Sequence, residues 1–244
     1  MDVTLCAHRG MSKDFPENTM PAFEAMLDAG ISYLECDLCL TKDEKIIIHH
    51  DANVGRTSDG EGPVRQHLLT DLEKLDAGSW KAKRFARTHI PPLTELLNWA
   101  MAHQILCNLE VKLHQDADRM IMLDRLQEAC MGLDQDLLVF SSFDIDLLHE
   151  FRRRDDNAKL IPIHGSLHDQ VLLDAERIQA QTIHMDGHLL TKEDAERIIA
   201  EGLSLGCYTI NDPNLAQILV SWGVSVIISD CPDQLGLSHD PRHD

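Results

Sequence analysis

The sequence predicts a (β/α)8 barrel, and three features of the chain lead to this fold. Short runs rich in β-branched residues alternate with amphipathic runs, a rhythm typical of a parallel sheet with helices between its strands. With one hairpin arm left out, eight strand-like runs can be counted, the number that closes a barrel of this kind. No run is followed by a G-x-G-x-x-G or Walker sequence, which disfavours the runner-up, an open doubly wound sheet.

The length and the charge of the chain limit the number of domains and the kinds of partner that it can have. Its 244 residues, 43% of them apolar, are enough for one sizeable core. We expect a single domain over residues 1–237 and a frayed tail over 238–244. The 41 acidic and 22 basic residues give a net charge of −19, which repels nucleic-acid backbones and anionic lipid headgroups. No nucleic-acid partner is therefore expected, and an anionic substrate needs a local positive site.

The seven cysteines favour a reducing compartment. Their number is odd and several lie in apolar strand-like runs, as reduced, buried thiols do. Cys36 and Cys39 form a C-x-x-C, but on a strand they point to opposite faces, which disfavours a shared metal. No apolar stretch is long enough to span a bilayer and no basic n-region precedes the first run. We expect a cytoplasmic protein without stable membrane insertion, and a homo-oligomer stays open.

The first elements surround an irregular segment. A strand at 3–7 and a helix at 18–29 precede a strand at 33–40. The apolar run at 46–48 follows after about four residues, too few for a parallel crossover, so it is predicted to be the returning arm of a hairpin. Residues 52–92 carry many Gly and Pro. Because this segment has apolar pieces of its own, a small ordered insertion that forms part of a lid is favoured over disorder.

Regular alternation resumes after the insertion. The predicted helices cover 92–103, 116–131, 144–154, 168–176, 191–201 and 213–222. The predicted strands cover 105–112, 137–141, 159–164, 182–185, 204–210 and 225–229. Together with the strands at 3–7 and 33–40, these complete the eight strands of the barrel.

Acidic residues lie where barrel active sites form, at the carboxyl ends of predicted strands. Glu35 and Asp37 are two residues apart on the second strand and point to the same side. Glu110 and Lys112 repeat this spacing near the end of the third. Carboxylates are the hard oxygen ligands that Mg²⁺ and Ca²⁺ prefer. One divalent cation is therefore predicted, although an ion pair alone would also explain Glu110 with Lys112.

Histidines lie at the same predicted rim. His8 and Arg9 end the first strand, and the hairpin returns His50 towards the carboxylates. An imidazole titrates near neutral pH, so beside hard metal ligands it makes a metal-assisted acid/base site. A strand-capping role for His8 and a salt-bridge role for Arg9 are the alternatives.

A set of short motifs runs through nearly the whole chain. They are AHRG at 7–10, PENT at 16–19, E-x-D with T-K-D at 35–43, HD…RTS at 50–58, E-x-K at 110–112, SSF at 141–143 and YTIN at 208–211. As a set they resemble the glycerophosphodiester phosphodiesterases, and most closely the bacterial cytosolic members. The resemblance implies a barrel with an insertion that hydrolyses glycerophosphodiesters to sn-glycerol 3-phosphate and an alcohol.

The resemblance also implies roles for individual residues. Matched by motif, these are His8 and His50 as the acid/base pair, Glu35, Asp37 and Glu110 as metal ligands, Arg9 and Lys112 as phosphate contacts, and Phe143 and Tyr208 as further substrate contacts. His50 is chosen over His49 because the family histidine precedes an aspartate. Tyr208 departs from the family, which often has Trp there, so the packing of the substrate is left open.

Other polar residues near the rim are given supporting roles. They are Asn18, Asp51 and Arg56 as supporting or turn residues, His164 and His184 as lining or core residues, and Asp230 as a residue that orients a neighbour or caps the last turn.

Attack by the 2-hydroxyl of the substrate is the expected route, because intramolecular reactions reach effective molarities of ~10⁵–10⁸ M. Two other functions stay open. A catalytically silent phosphodiester-binding barrel is disfavoured because both histidines and all three carboxylates are present. A membrane-acting phospholipase-type phosphodiesterase is disfavoured by the acidic surface and by an aromatic content of 5%.

Overall fold

Eight parallel strands close into a barrel in the computed structural model, which describes residues 3–238. The strands are β1 (Thr4–His8), β2 (Tyr33–Leu40), the hairpin arm β3 (Ile46–Ile48), β4 (Leu106–Val111), β5 (Leu138–Ser142), β6 (Leu160–His164), β7 (Thr182–Asp186), β8 (Ser204–Tyr208) and β9 (Val226–Ser229). Barrel neighbours follow chain order, and β9 and β2 both pair with β1 in parallel. The predicted (β/α)8 barrel is confirmed.

Helices connect the barrel strands. They are α1 (Met20–Asp28), α2 (Leu69–Leu72) in the insertion, α3 (Leu93–His103), α4 (Arg119–Cys130), α5 (Ile145–Arg154), α6 (Asp169–Arg177), α7 (Lys192–Ala200) and α8 (Pro213–Ser221). The predicted helix at 116–131 differs at its start, because Asp116–Asp118 form a 3₁₀ turn before α4. No helix within residues 3–238 is long and apolar enough to cross a membrane.

The strands divide their side chains between two environments. On β2, Leu34, Cys36 and Leu38 belong to the large buried cluster that the helices cover. A smaller cluster of Cys6, Tyr33 and Ile228 occupies inward-facing positions nearer the amino end. The inward positions above it, towards the carboxyl end, carry polar side chains, and these form the site described below.

The hairpin arm extends one edge of β2. β1 pairs with β2 only as far as Glu35, and β3 then runs antiparallel to β2 with Leu38 opposite Ile48. The backbone N–H of His49 donates to the carbonyl of Asp37 at 2.9 Å. The predicted hairpin is therefore present, and it carries His50 to the rim of the barrel.

The segment after β3 is an ordered insertion. It packs around a small core of its own, made of Cys39, Ile47, Val54, Val64, Leu72, Ala77 and Ile90. Cys36 and Cys39 thus belong to different clusters on opposite faces of β2, as their spacing predicts. The predicted tail at 238–244 lies, except for Ser238, outside the described residues.

Candidate active site

Three carboxylates meet inside the carboxyl end of the barrel. Glu35 and Asp37 project from β2, and the sheet register sets Asp37 beside Glu110 of β4. All three are buried, and one oxygen from each lies within 4.8 Å of the others. Oε1 of Glu35 and Oδ1 of Asp37 accept no hydrogen bond. Buried carboxylate oxygens that lie this close together suit a hard divalent cation.

The three carboxylates in this cluster repel one another when they are ionised. Burial and the neighbouring carboxylates, Asp37 foremost, raise the pKa of both Glu35 and Glu110. Burial also acts to raise the pKa of Asp37, but Arg9 and Lys112 outweigh it and the pKa lies below its ordinary value. A cation would remove this repulsion, so its binding and deprotonation of the glutamates favour each other.

Two cationic side chains flank the carboxylates. Nε of Arg9 lies 3.1 Å from Oδ2 of Asp37, and its Nη1 donates to Oε1 of Glu17 at 2.7 Å. Nζ of Lys112 lies 3.3 Å from Oδ1 of Asp37 and donates to Glu110. Both side chains are largely buried. Two cationic groups are therefore held at the site by carboxylate partners, in a protein of strongly negative net charge.

The turn after β1 holds Arg9 in place. Arg9 has a left-handed backbone with φ of 56°, and its N–H donates to Oε2 of Glu35 at 3.0 Å. Gly10 follows with φ of 79°, where a Cβ would lie 2.7 Å from the backbone of Ala22. Only glycine suits that position, which explains the end of the AHRG motif.

The two predicted catalytic histidines have carboxylate partners of their own. Nδ1 of His8 lies 2.7 Å from Oδ1 of Asp230, and Nδ1 of His50 lies 2.6 Å from Oδ1 of Asp51. Because a carboxylate accepts, Nδ1 carries the proton in each neutral ring and Nε2 is the free acceptor. Nε2 of His8 is 3.9 Å from Oε2 of Glu35.

The surroundings shift the pKa values of these two histidines in opposite directions. Burial lowers the pKa of His8, but the hydrogen bond to Asp230 and the Glu35 carboxylate outweigh it, so this pKa is raised. Burial dominates at His50 and its pKa is lowered, although Asp37 and Asp51 oppose the shift. His8 is thus suited to donate a proton and His50 to accept one.

A cavity of about 200 Å³ lies above these groups. It is lined by His8, Arg9, Glu35, His50, Asn108, Glu110, Lys112, Phe143, Ile163, His184, Tyr208, Thr209 and Ile228. Asp37, the remaining predicted site residue, lies behind this lining and contacts Arg9 and Lys112. The structure therefore brings all nine residues together. A larger cavity of about 610 Å³ opens at the other end of the barrel, near Thr4 and Lys159, away from these groups.

His49 and the aromatic residues take distinct places. His49 is buried, with Nε2 3.2 Å from the carbonyl of Asn53. The rings of Phe143 and Tyr208 meet edge to face at 6.1 Å, and Nζ of Lys112 lies 5.4 Å from the Phe143 ring. Phe143 is half exposed. The mouth of the cavity thus has an aromatic side next to its charged side.

Sequence reasoning gave no role to Asn108 or Glu17. Asn108 is buried, and neither polar atom of its side chain has a hydrogen-bond partner. Its position two residues before Glu110, on the same face of β4, was a usable signal. Glu17 lies within the PENT motif, but its contacts come from residues distant in the sequence. His184, assigned to the lining or the core, lines the cavity.

One end of the barrel thus carries two histidines bonded to carboxylates, a carboxylate cluster suited to a divalent cation and two cationic side chains, an arrangement typical of an enzyme that acts on a phosphate-bearing substrate. The model of the glycerophosphoryl diester phosphodiesterase family matches residues 8–234. The chain belongs to this family, as its motifs indicated, and is an enzyme of the phosphoric diester hydrolase class.

Individual relatives are similar to this chain over most of its length, and one of known structure has a similar fold. A glycerophosphodiester phosphodiesterase of Caldanaerobacter subterraneus subsp. tengcongensis is 29% identical over 244 residues, with 96% of this chain and 97% of the relative covered. One of Bacillus subtilis is 29% identical over 249 residues, with 93% and 83% covered. The structure of an Oleispira antarctica phosphodiesterase, solved with the product sn-glycerol-3-phosphate, is similar with a TM-score of 0.91 and 28% identity, covering 96% of this chain and 95% of that one.

Proposed function

We propose that this enzyme hydrolyses glycerophosphodiesters to sn-glycerol 3-phosphate and an alcohol, and that it depends on Mg²⁺ or Ca²⁺. The observation that carries the proposal is the carboxylate cluster of Glu35, Asp37 and Glu110 between two histidines in a chain of this family. The product bound to the Oleispira antarctica relative supports the same substrate class.

Glu35, Asp37 and Glu110 would hold the cation. Their buried carboxylate oxygens lie close enough together to fit it, and once bound it would act as a Lewis acid that polarises a phosphate oxygen. Arg9 and Lys112 would neutralise the non-bridging phosphate oxygens, where charge develops during the reaction. Both side chains line the cavity, which places them beside a substrate bound there.

The histidines would divide the proton transfers. Nε2 of His50 takes the proton of the substrate 2-hydroxyl, whose oxygen then forms a bond to phosphorus. The bond from phosphorus to the alcohol oxygen breaks, and His8 protonates that oxygen. Water then opens the cyclic phosphate with the two roles exchanged, His8 as base and His50 as acid. The lowered pKa of His50 and the raised pKa of His8 suit this order.

Chelation tests the metal dependence. A sample stripped of metal should not turn over glycerophosphocholine, and Mg²⁺ or Ca²⁺ should restore turnover, because the carboxylates repel one another without a cation. Titration with each ion separately identifies the one that serves. Full turnover in the stripped, chelator-treated enzyme would overturn this part of the proposal.

A 2-deoxy substrate tests the nucleophile. If the 2-hydroxyl attacks, a glycerophosphodiester with hydrogen in its place should bind without being hydrolysed. Brisk hydrolysis of the deoxy compound would instead show that water attacks directly.

The same assay addresses the alternative functions. Comparison of glycerophosphocholine with liposomal phospholipid separates the proposed activity from that of a membrane-acting phospholipase-type enzyme. Absence of turnover on both, with retained binding, would identify a catalytically silent phosphodiester-binding barrel.

A further inference from the structure

Arg56, in the first turn of the insertion (Val54–Arg56), makes two fork-like contacts at the rim of the site. Its Nε and Nη2 donate to the two carboxylate oxygens of Asp51 at 2.6 and 3.2 Å. Its Nη1 and Nη2 donate to the two oxygens of Glu17 at 2.8 and 2.7 Å. One guanidinium thus holds two carboxylates from separate parts of the chain.

Each of those carboxylates holds a residue of the proposed mechanism. Oδ1 of Asp51 accepts from Nδ1 of His50 at 2.6 Å. Oε1 of Glu17 accepts from Nη1 of Arg9 at 2.7 Å. An unbroken chain of charge-assisted hydrogen bonds therefore runs from the imidazole of His50 through Arg56 to the guanidinium of Arg9. Such bonds are short and directional.

We propose that Arg56 is a positioning residue that fixes the tautomer and orientation of His50 through Asp51 and the position of Arg9 through Glu17. This inference rests on the proposed function, because it concerns the base and a phosphate contact of that reaction. The insertion would then complete the site through a fixed clamp rather than act only as a lid.

The chemistry of the clamp favours arginine. A planar fork can engage both oxygens of two carboxylates, whereas a lysine ammonium acts as a point charge. The hydrogen bonds from Arg56 are the largest influence holding the pKa of Asp51 below its ordinary range. Because Arg56 contacts both of its oxygens, Asp51 keeps Oδ1 turned towards Nδ1 of His50, so His50 keeps its proton on Nδ1 and presents Nε2 to the substrate.

A simpler role for Arg56, as a tether of the insertion, has a matched control within the chain. Arg65 also lies in the insertion, and it makes a two-pronged contact with Asp118 at 2.9 and 3.0 Å. It also donates to the backbone carbonyl of Lys42. Asp51 and Glu17 each accept a hydrogen bond from a residue that lines the cavity, whereas within residues 3–238 neither Asp118 nor Lys42 bonds such a residue. The side chain of Arg56 is 46% exposed and that of Arg65 is 25% exposed, so Arg65 is the better candidate for a pure tether.

The test compares Arg56→Gln and Arg56→Lys with Arg65→Gln in the full-length, metal-loaded enzyme. Arg56→Gln should lower kcat by about 10–100-fold, the range for loss of a group that orients an active-site residue. Arg56→Lys should fall between Arg56→Gln and wild type, since an ammonium cannot hold both carboxylates at once. Arg65→Gln should keep kcat near wild type while lowering the melting temperature at least as much. A loss of kcat in Arg65→Gln equal to that in Arg56→Gln would overturn the proposal.

A second readout does not need turnover. In protein labelled with ¹⁵N at histidine, His50 should show a single Nδ1–H tautomer in the wild type and a mixture in Arg56→Gln, with Arg65→Gln unchanged. If the wild type hydrolyses no glycerophosphodiester, the proposed function fails while this spectrum still tests the clamp. A His50 that keeps its single tautomer in Arg56→Gln would overturn the clamp whatever the activity.

Discussion

The two sides of the cavity differ sharply in charge. The side built from β1, β2, β4 and the hairpin carries His8, Arg9, Glu35, Asp37, His50, Glu110 and Lys112, all from the first half of the chain. The side built from β5 to β8 carries Phe143, Ile163, His184, Tyr208 and Thr209. Since buried charges need partners, the charged side is a network of ion pairs, whereas the other side relies on shape and aromatic contacts. We infer that the first side does the chemistry and the second receives the alcohol, and four predictions test this division.

The largest effect is expected from Glu110→Gln. Loss of one ligand charge should weaken the affinity for Mg²⁺ or Ca²⁺ by more than about 100-fold, above what loss of a supporting contact costs, and turnover should fall with it. Isothermal titration with each ion measures the affinity. The fold should persist, because repulsion within the cluster also decreases.

Glu193→Gln on the exposed surface is the matched control, and it should bind metal as the wild type does. Unchanged metal affinity in Glu110→Gln would remove Glu110 from the cation site.

His8→Ala and His50→Ala should each lower kcat by about 10²–10⁴-fold, the usual contribution of a general acid or base. The wild-type profile of kcat/KM against pH should be bell-shaped. Activity should fall below the pKa of His50, which is lowered, and above the pKa of His8, which is raised. The residual activity of His50→Ala should lack the acid limb, and that of His8→Ala the alkaline limb.

His49→Gln provides the control for this pair, because His49 is outside the cavity and contacts the carbonyl of Asn53. Its kcat should stay close to the wild-type value. Near-normal turnover in either alanine variant would return that histidine to a structural role.

Several features of the site could be predicted from the spacing of residues that are close in the sequence. Glu35 with Asp37, and Glu110 with Lys112, could be predicted because residues two apart on a strand share a face. The hairpin could be predicted because its connection is too short for a crossover. In each case the signal lies within a few residues of the feature it predicts.

Contacts between distant parts of the chain gave no such signal. Asp230 reaches His8 across 222 positions and Arg56 reaches Glu17 across 39, and only closure of the barrel and folding of the insertion bring them together. The sequence allowed Asp230 to orient a neighbour and Asp51 to support the site, but it did not identify His8 as the neighbour of Asp230 or Arg56 as the link to Glu17. The cytoplasmic location, a homo-oligomer and a moving lid stay predictions.

On the uncharged side, Phe143→Ala should raise KM with little change in kcat. The ring is half exposed in the lining of the cavity, and loss of one aromatic contact with the substrate would cost about 1 kcal/mol, equivalent to about fivefold in KM. Steady-state kinetics with glycerophosphocholine measures both constants. A large fall in kcat with KM unchanged would contradict the proposed division of the cavity.

The smallest effect on catalysis is expected from substitution of His184. Its effect should be seen in stability instead. The ring lies opposite Gly206 of β8, where a Cβ would be 2.5 Å from its Cδ2. It is 1% exposed, and Nε2 has no hydrogen-bond partner. Burial lowers its pKa from the ordinary 6.5 to about 4. His184 is therefore neutral in the folded protein at neutral pH.

Acidification should expose this shift. Well above pH 6.5 the ring is neutral in both states and its titration contributes nothing to the pH dependence. As the pH falls from about 6.5 to about 4, the unfolded chain gains a proton that the folded protein does not, so the free energy of unfolding decreases. One proton costs 1.36 kcal/mol of unfolding free energy for each pH unit, so the total loss is about 3 kcal/mol. No further loss comes from this group below pH 4.

Urea unfolding at several pH values, with His184→Gln as reference, isolates this proton from the other titrating groups. The variant should lose less stability on acidification than the wild type, with kcat at pH 7 nearly unchanged. If the free energy of unfolding of the two proteins depended on pH in the same way, His184 would have the same pKa in the folded protein and in the unfolded chain. The uncharged side of the cavity would then not disfavour a protonated imidazole.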